Sequence, residues 1–149
     1  MTTSSRRTSR KLLAAALALC LVGVAAVVFL PIGWFLNRLV VRVYYLLLGL
    51  GLPVTIFGVD LALNATLFAM PVILAAMIWP KVRWWVWPVA SFLCAVVIEL
   101  AQFIALPRNA EWWDITANTV GGLLGSGLVS LARAALRRRV VAGQGRDTW

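Results

Sequence analysis

WVWPVASFLCAVVIELAQFIAL (residues 85–106), PRNAEWW (107–113) and DITANTVGGLLGSGLVSLARAA (114–135) are consecutive, and together they decide the fold. As a helix rising ~1.5 Å per residue, each of the two outer segments is long enough to cross a ~30 Å hydrocarbon core. The turn between them is short, holds Pro107, and ends on Trp112 and Trp113. Short turns join antiparallel neighbours, so the stretch reads as a membrane-spanning helical hairpin, with Pro88 tolerated in the first turn of its first helix.

Upstream, Leu61–Trp79 is a further apolar run, with Pro71 as the expected kink. Lys81 and Arg83 separate it from the hairpin, with Trp79, Trp84, Trp85 and Trp87 around them. Leu12–Leu30 is another apolar run, preceded by Arg6, Arg7, Arg10 and Lys11. It is long for the hydrophobic region of a cleaved signal and no small-x-small site closes it, so it reads as a retained helix. Of the 149 residues 62% are hydrophobic and 13% charged, too few charges to cover a soluble domain, for which about 25% is usual. The expectation is therefore an all-α membrane protein with four transmembrane helices, at about 12–30, 61–79, 85–106 and 114–135. They form one domain over 12–136, between basic tails at 1–11 and 137–149.

The segment 39–57 is apolar enough to suggest another crossing. Arg38, Arg42, Tyr45 and Gly49 nevertheless recur on one helical face, the pattern of a helix lying in the interface or entering it shallowly. With four crossings, eleven of the fourteen Lys+Arg fall on one side and only Arg38, Arg42 and Arg108 on the other. The positive-inside rule then places both termini in the cytoplasm. The net charge of +9 is accounted for by these flanks, which argues against nucleic acid as a partner. Cys20 and Cys94 lie in apolar runs and read as small buried hydrophobes. The absence of histidine removes the usual metal ligand and general base, and no metal or cofactor is expected.

The acids carry the functional signal. Glu99 stands seven residues before Leu106, about 10 Å below the membrane boundary. A carboxylate there costs roughly 2–3 kcal/mol or more unless it faces the bundle, pairs with a base or is protonated. Gln102 shares its helix face. On the last helix Asp114, Asn118, Gly121 and Gly125 form one stripe, whose glycines admit a close helix neighbour. The preceding helix is the expected neighbour, which would bring Glu99 and Gln102 to Asp114 and Asn118. Arg108 in the turn can engage both carboxylates through its forked guanidinium, and its loss is expected to cost about 3–5 kcal/mol. Asp60 and Asn64 repeat the polar pairing at the same level of another helix.

Glu99-x-x-Gln102, Arg108, Asp114-x-x-x-Asn118-Thr119-x-Gly121 and Gly125 resemble the pattern of the VanZ-like family of small bacterial integral membrane proteins. Asn64, Phe68 and Pro71 resemble a further element of that family, with one extra residue before the proline. The resemblance covers residues 60–130. The family takes its name from an accessory protein of glycopeptide-antibiotic resistance. The resemblance thus implies a multi-pass protein of the bacterial cytoplasmic membrane, acting in the cell envelope in an antibiotic or stress response.

The polar residues admit several roles. They can be a structural network pinning the turn, or a pocket for an envelope lipid, cell-wall precursor, glycopeptide-type drug or partner protein. They can also be a carboxylate acid/base pair of a membrane enzyme, or ligands of a hard cation. No nucleophile or cofactor motif accompanies them, which favours a non-enzymatic factor over an enzyme. Membrane lipids are the expected surroundings; the oligomeric state is not legible in the sequence.

Overall fold

The computed structural model describes residues 3–30, 33–105 and 111–144, and the described residues form five helices and no strand. They are α1 (Thr3–Phe29), α2 (Gly33–Gly49), α3 (Ile56–Ile78), α4 (Val86–Ala105) and α5 (Trp112–Gln144). Four of them, α1, α3, α4 and α5, hold stretches long and apolar enough to cross a membrane: Arg7–Val28, Ile56–Ile78, Val86–Ile104 and Trp112–Arg139.

The helix bounds depart from the sequence expectation in three places. The first α3 turn comes five residues earlier than expected, because Thr55, in extended conformation, caps it by accepting the Gly58 amide on its hydroxyl at 3.0 Å. The helix between the first two crossings is Gly33–Gly49 rather than part of 39–57, so Asn37 lies within it. Gly51, at φ +79°, occupies the left-handed region just beyond it. Finally, α1 and α5 run on into the basic flanks. The 33-residue α5 continues through Arg137-Arg138-Arg139, a segment rich in good helix formers.

Polar side chains share the bundle interior with apolar ones such as Val72, Ala76 and Ala95, and large apolar side chains face outward. Ser91, Glu99, Gln102, Asn118 and Ser126 are buried, whereas Leu93, Val97, Phe103, Ile104, Leu124, Leu128 and Leu131 are exposed. In water that distribution would be unstable; against lipid, which solvates leucine as well as a protein core does, it is the expected one. Cys94 belongs to the exposed outer face and Cys20 is half-buried, so neither is the buried hydrophobe expected of it; both are free thiols.

Helix α3 is central, packing against α5, α1 and α2, while α4 packs chiefly on α5. Two contacts fix one end of the bundle. Arg10 of α1 donates to the Ile78 carbonyl at 3.2 Å, and Arg133 of α5 donates to the Ala76 carbonyl. Both arginines thus satisfy carbonyls of the last α3 turn, which lack helical partners. At the opposite end the Gln102 amide donates to the Val28 carbonyl at 3.1 Å, doing the same for α1. The helices therefore alternate in direction, α1 and α4 one way, α3 and α5 the other.

The closest approach is between the parallel pair α3 and α5. A Cβ added at Gly121 would lie 2.0 Å from the Ala65 carbonyl oxygen, and one at Gly125 would lie 2.7 Å from that of Ala69. Ala65-x-x-x-Ala69 and Gly121-x-x-x-Gly125 thus form facing small-residue stripes. This corrects the expected neighbour of the glycine stripe: it meets α3, and α4 instead meets Gly122, through Ser91. Helix α4 does lie beside α5, but the backbone comes nearest where both helices carry small residues.

Candidate functional site

At the bundle end remote from Arg10 and Arg133, helices α1 to α5 surround a cavity of about 710 Å³. That is the size of a site for a small organic molecule. Its polar lining is Asn37, Asp60, Asn64, Glu99, Gln102, Asp114 and Asn118. Its apolar wall includes Val28, Val40, Leu63, Leu67, Phe68 and Ile98.

Each polar side chain arrives by a local rule. Asp60 and Asn64 are one turn apart on α3, as are Asp114 and Asn118 on α5, so each pair projects from one face. The parallel packing of α3 on α5 sets the two faces together, and the Asn64 amide donates to Asp114 Oδ1 at 2.9 Å. Asp114 stands in the first turn of α5, where a carboxylate is favoured by the helix dipole. Glu99 is buried at 5% exposure and accepts the backbone amide of Glu111 on Oε2 at 3.0 Å. Glu99 of α4 thereby holds the residue immediately before α5, where amides have no helical partner. Gln102 is buried too, its amide engaged by the α1 carbonyl described above. Phe57, another lining residue, packs edge-on against Trp113 with ring centroids 5.5 Å apart.

Asn118 differs from its neighbours. It is 6% exposed, it lines the cavity, and its Oδ1 has no hydrogen-bond partner. Leaving a buried acceptor unmet costs about 1–3 kcal/mol, and such groups in native proteins commonly mark a role beyond packing.

Glu99, Gln102, Asp60, Asn64, Asp114 and Asn118 thus border one cavity. The contacts of Glu99 differ from the expected meeting of the α4 and α5 side chains. Asp114 meets Asn64 of α3, and Glu99 meets a backbone amide rather than Asp114 or Asn118. Arg108 lies outside the described residues. Sequence reasoning missed two contributors. One is α2, which brings Leu36, Asn37, Leu39 and Val40 to the wall. The other is the last turn of α1, through Val27 and Val28. Asn37, a polar residue within an apolar helix, was the available signal for the first; nothing in the α1 sequence marks the second. Among the described residues no group of three acidic, histidine or cysteine side chains gathers closely enough to hold a metal ion.

The Glu99 contact has a measurable consequence. Glu99→Ala leaves the Glu111 amide without its acceptor and is expected to destabilise the bundle by about 1–3 kcal/mol. Glu99→Gln, which retains an acceptor oxygen of the same reach, is expected to cost less than half as much. Unfolding titrations of the detergent-solubilised variants check the order; equal losses would show that the Glu111 contact contributes nothing.

Compared with curated proteins and with solved structures, the chain matches none. The family described as VanZ/LLP1 matches residues 8–133, a span that runs from the first helix through most of α5 and takes in every polar residue of the cavity. With more than half of its length matched, and with four long apolar helices, this chain belongs to the VanZ/LLP1 family of membrane proteins.

Proposed function

We propose that the protein is a binding factor of the bacterial cytoplasmic membrane. Its cavity opens toward the outer face and takes an amphiphile of the envelope, such as a lipid or a lipid-linked cell-wall precursor. Through that ligand it modulates an antibiotic or envelope-stress response, the context that membership of the VanZ/LLP1 family brings. The observation that carries the reading is the composition of the cavity: carboxylates and amides line it together with apolar side chains, as a molecule with a polar head and an apolar tail requires. Intramembrane ionisable groups are costly, and those retained commonly serve function.

Native mass spectrometry of the protein purified in mild detergent tests this. A bound amphiphile is expected on the parent, and it is expected to be lost in Leu67→Trp, which fills the apolar wall. The variant must melt like the parent for the comparison to count. Absence of any bound amphiphile, or equal retention by Leu67→Trp, contradicts the proposal.

The orientation is part of the same proposal. Arg10 and Arg133 share one bundle end with the Lys81 and Arg83 turn, and the acids line the other. The positive-inside rule then puts the cavity outside and both termini inside, with α2 at the outer interface. The exposed Trp34, Phe35 and Tyr45 of α2, together with the Arg38 guanidinium 5.1 Å from the Trp34 ring, suit that position. Reporter fusions after residues 52 and 110 are expected to read outside, and those after 82 and 149 inside. An outside reading at the C-terminus would reverse the assignment and make α2 a crossing.

A further inference from the structure

We infer that α2 carries a lipid site of its own, on the face turned away from the cavity, and that this site holds the head group of an anionic phospholipid. The inference rests on the proposed function only for the place of α2 at the membrane interface; it does not depend on what the cavity binds. The two faces of α2 differ in burial. Leu36 and Val40, one turn apart, line the cavity together with residues of α1 and α3, and Val40 is buried. Trp34, Arg38, Arg42 and Tyr45 follow one another at i, i+4, i+8 and i+11 on the opposite face, and all four are exposed. Trp34, Arg38 and Arg42, with Phe35 and Leu39 beside them, enclose a small pocket of about 250 Å³. Among the described residues its lining is two guanidiniums, two aromatic rings and one leucine, with no carboxylate.

The chemistry of that lining selects the ligand. Residues one helical turn apart stand about 6 Å from each other, so Arg38 and Arg42 can both reach one phosphate group. The Arg38 guanidinium lies over the Trp34 ring, 5.1 Å from its centroid. A cation over a ring presents its face to the π-system and keeps its N–H edge for an acceptor. Forked N–H pairs match phosphate oxygens, which a point charge does less well. Two guanidiniums against one phosphodiester leave positive charge in excess, so a head group without an ammonium of its own is preferred. The apolar part of the pocket decides the source of the phosphate. Trp34, Phe35 and Leu39 wall it, and Tyr45 extends the same face, a set that settles between head groups and acyl chains. The phosphate therefore comes on a bilayer lipid and not from solution.

The test uses the full chain in maltoside micelles, titrated with dioleoyl phosphatidylglycerol or dioleoyl phosphatidylethanolamine. Binding is read by native mass spectrometry and by the shift in melting temperature. The parent is expected to bind the anionic lipid about tenfold or more tightly than the zwitterionic one. Arg38→Gln with Arg42→Gln is expected to bring the two lipids to about the same affinity, and Arg38→Lys with Arg42→Lys, which keeps charge and loses the fork, to leave an intermediate preference. Both arginines are exposed, so these variants are expected to melt like the parent; should the glutamine pair not do so, Arg42→Gln alone, with about half the effect, carries the comparison. Soluble glycerol 3-phosphate in large excess is expected not to displace the lipid. Equal binding of the two lipids by the parent overturns the inference, as does displacement by glycerol 3-phosphate. A preference that survives the glutamine pair but falls with Arg137→Gln and Arg138→Gln also overturns it, since the lipid would then sit at the basic flank of α5. A preference lost in Leu67→Trp overturns it too, by placing the anionic lipid in the cavity, while leaving the proposed function standing.

Discussion

Gly121→Ala is expected to prevent the bundle from assembling, although it adds a single methyl group and replaces a poor helix former by the best. The new carbon would lie 2.0 Å from the Ala65 carbonyl oxygen and 2.8 Å from its carbon. Both are backbone atoms, so no rotamer change relieves the clash, and α3 and α5 must separate along their whole seam. Overpacking of a well-fitted contact costs about 1–3 kcal/mol where side chains can adjust; here the loss is expected at about 3 kcal/mol or more. Gly127 supplies the control on the same helix, since a Cβ there meets nothing within 4 Å. Gly127→Ala is expected to be neutral or to stabilise by up to about 1 kcal/mol, the difference in helix propensity. Accumulation in membranes and unfolding titration of the two variants check the contrast. Equal behaviour would mean that α3 and α5 do not touch at Gly121.

The neighbouring glycine is expected to behave differently because its obstacle is a side chain. A Cβ at Gly122 would lie 2.2 Å from Ser91 Oγ and 2.6 Å from Ser91 Cβ, with the Pro88 backbone at an ordinary 3.4 Å. Gly122→Ala is therefore expected to destabilise the α4–α5 contact by about 1–3 kcal/mol. Ser91→Gly removes both offending atoms, so Ser91→Gly with Gly122→Ala is expected to recover most of that loss. No such partner exists for Gly121. A double-mutant cycle in detergent measures the coupling, and additive losses would contradict the packing of α4 on α5 described here.

Much of this arrangement is legible in the sequence. Long apolar runs between arginine-rich flanks leave few alternatives to membrane helices, so the four spans follow from hydropathy alone. The polar stripes are equally visible, because Asp114, Asn118, Gly121 and Gly125, or Asp60 and Asn64, fall at helical spacings. Which helix each stripe meets is another matter. A short turn suggested α4 as the neighbour of the glycine stripe, yet α3 occupies that place, two helices away in the chain. The complementary signal, Ala65-x-x-x-Ala69, is present in the sequence but alanine pairs are common in apolar helices and do not single themselves out. The start of α3 at Ile56 rested on one capping threonine, a weaker signal than the apolar run beyond it. The contribution of α2 to the cavity depended on where an amphipathic helix folds back, which its own residues do not specify.

The polar cluster is proposed to border a cavity entered from the outer face of the membrane. A single cysteine at Leu63, in a background with Cys20 and Cys94 replaced by serine, tests it most directly. Leu63 is half-buried and lines the cavity between Asp60 and Asn64. Intact cells would be treated with a membrane-impermeant maleimide. Labelling at residue 63 is expected, with protection by an amphiphile that binds the parent. A cysteine at the lipid-facing Leu124, exposed on the bundle surface, is expected to stay unlabelled. Labelling of residue 63 only after the cytoplasmic side is opened, or from neither side, would contradict the account.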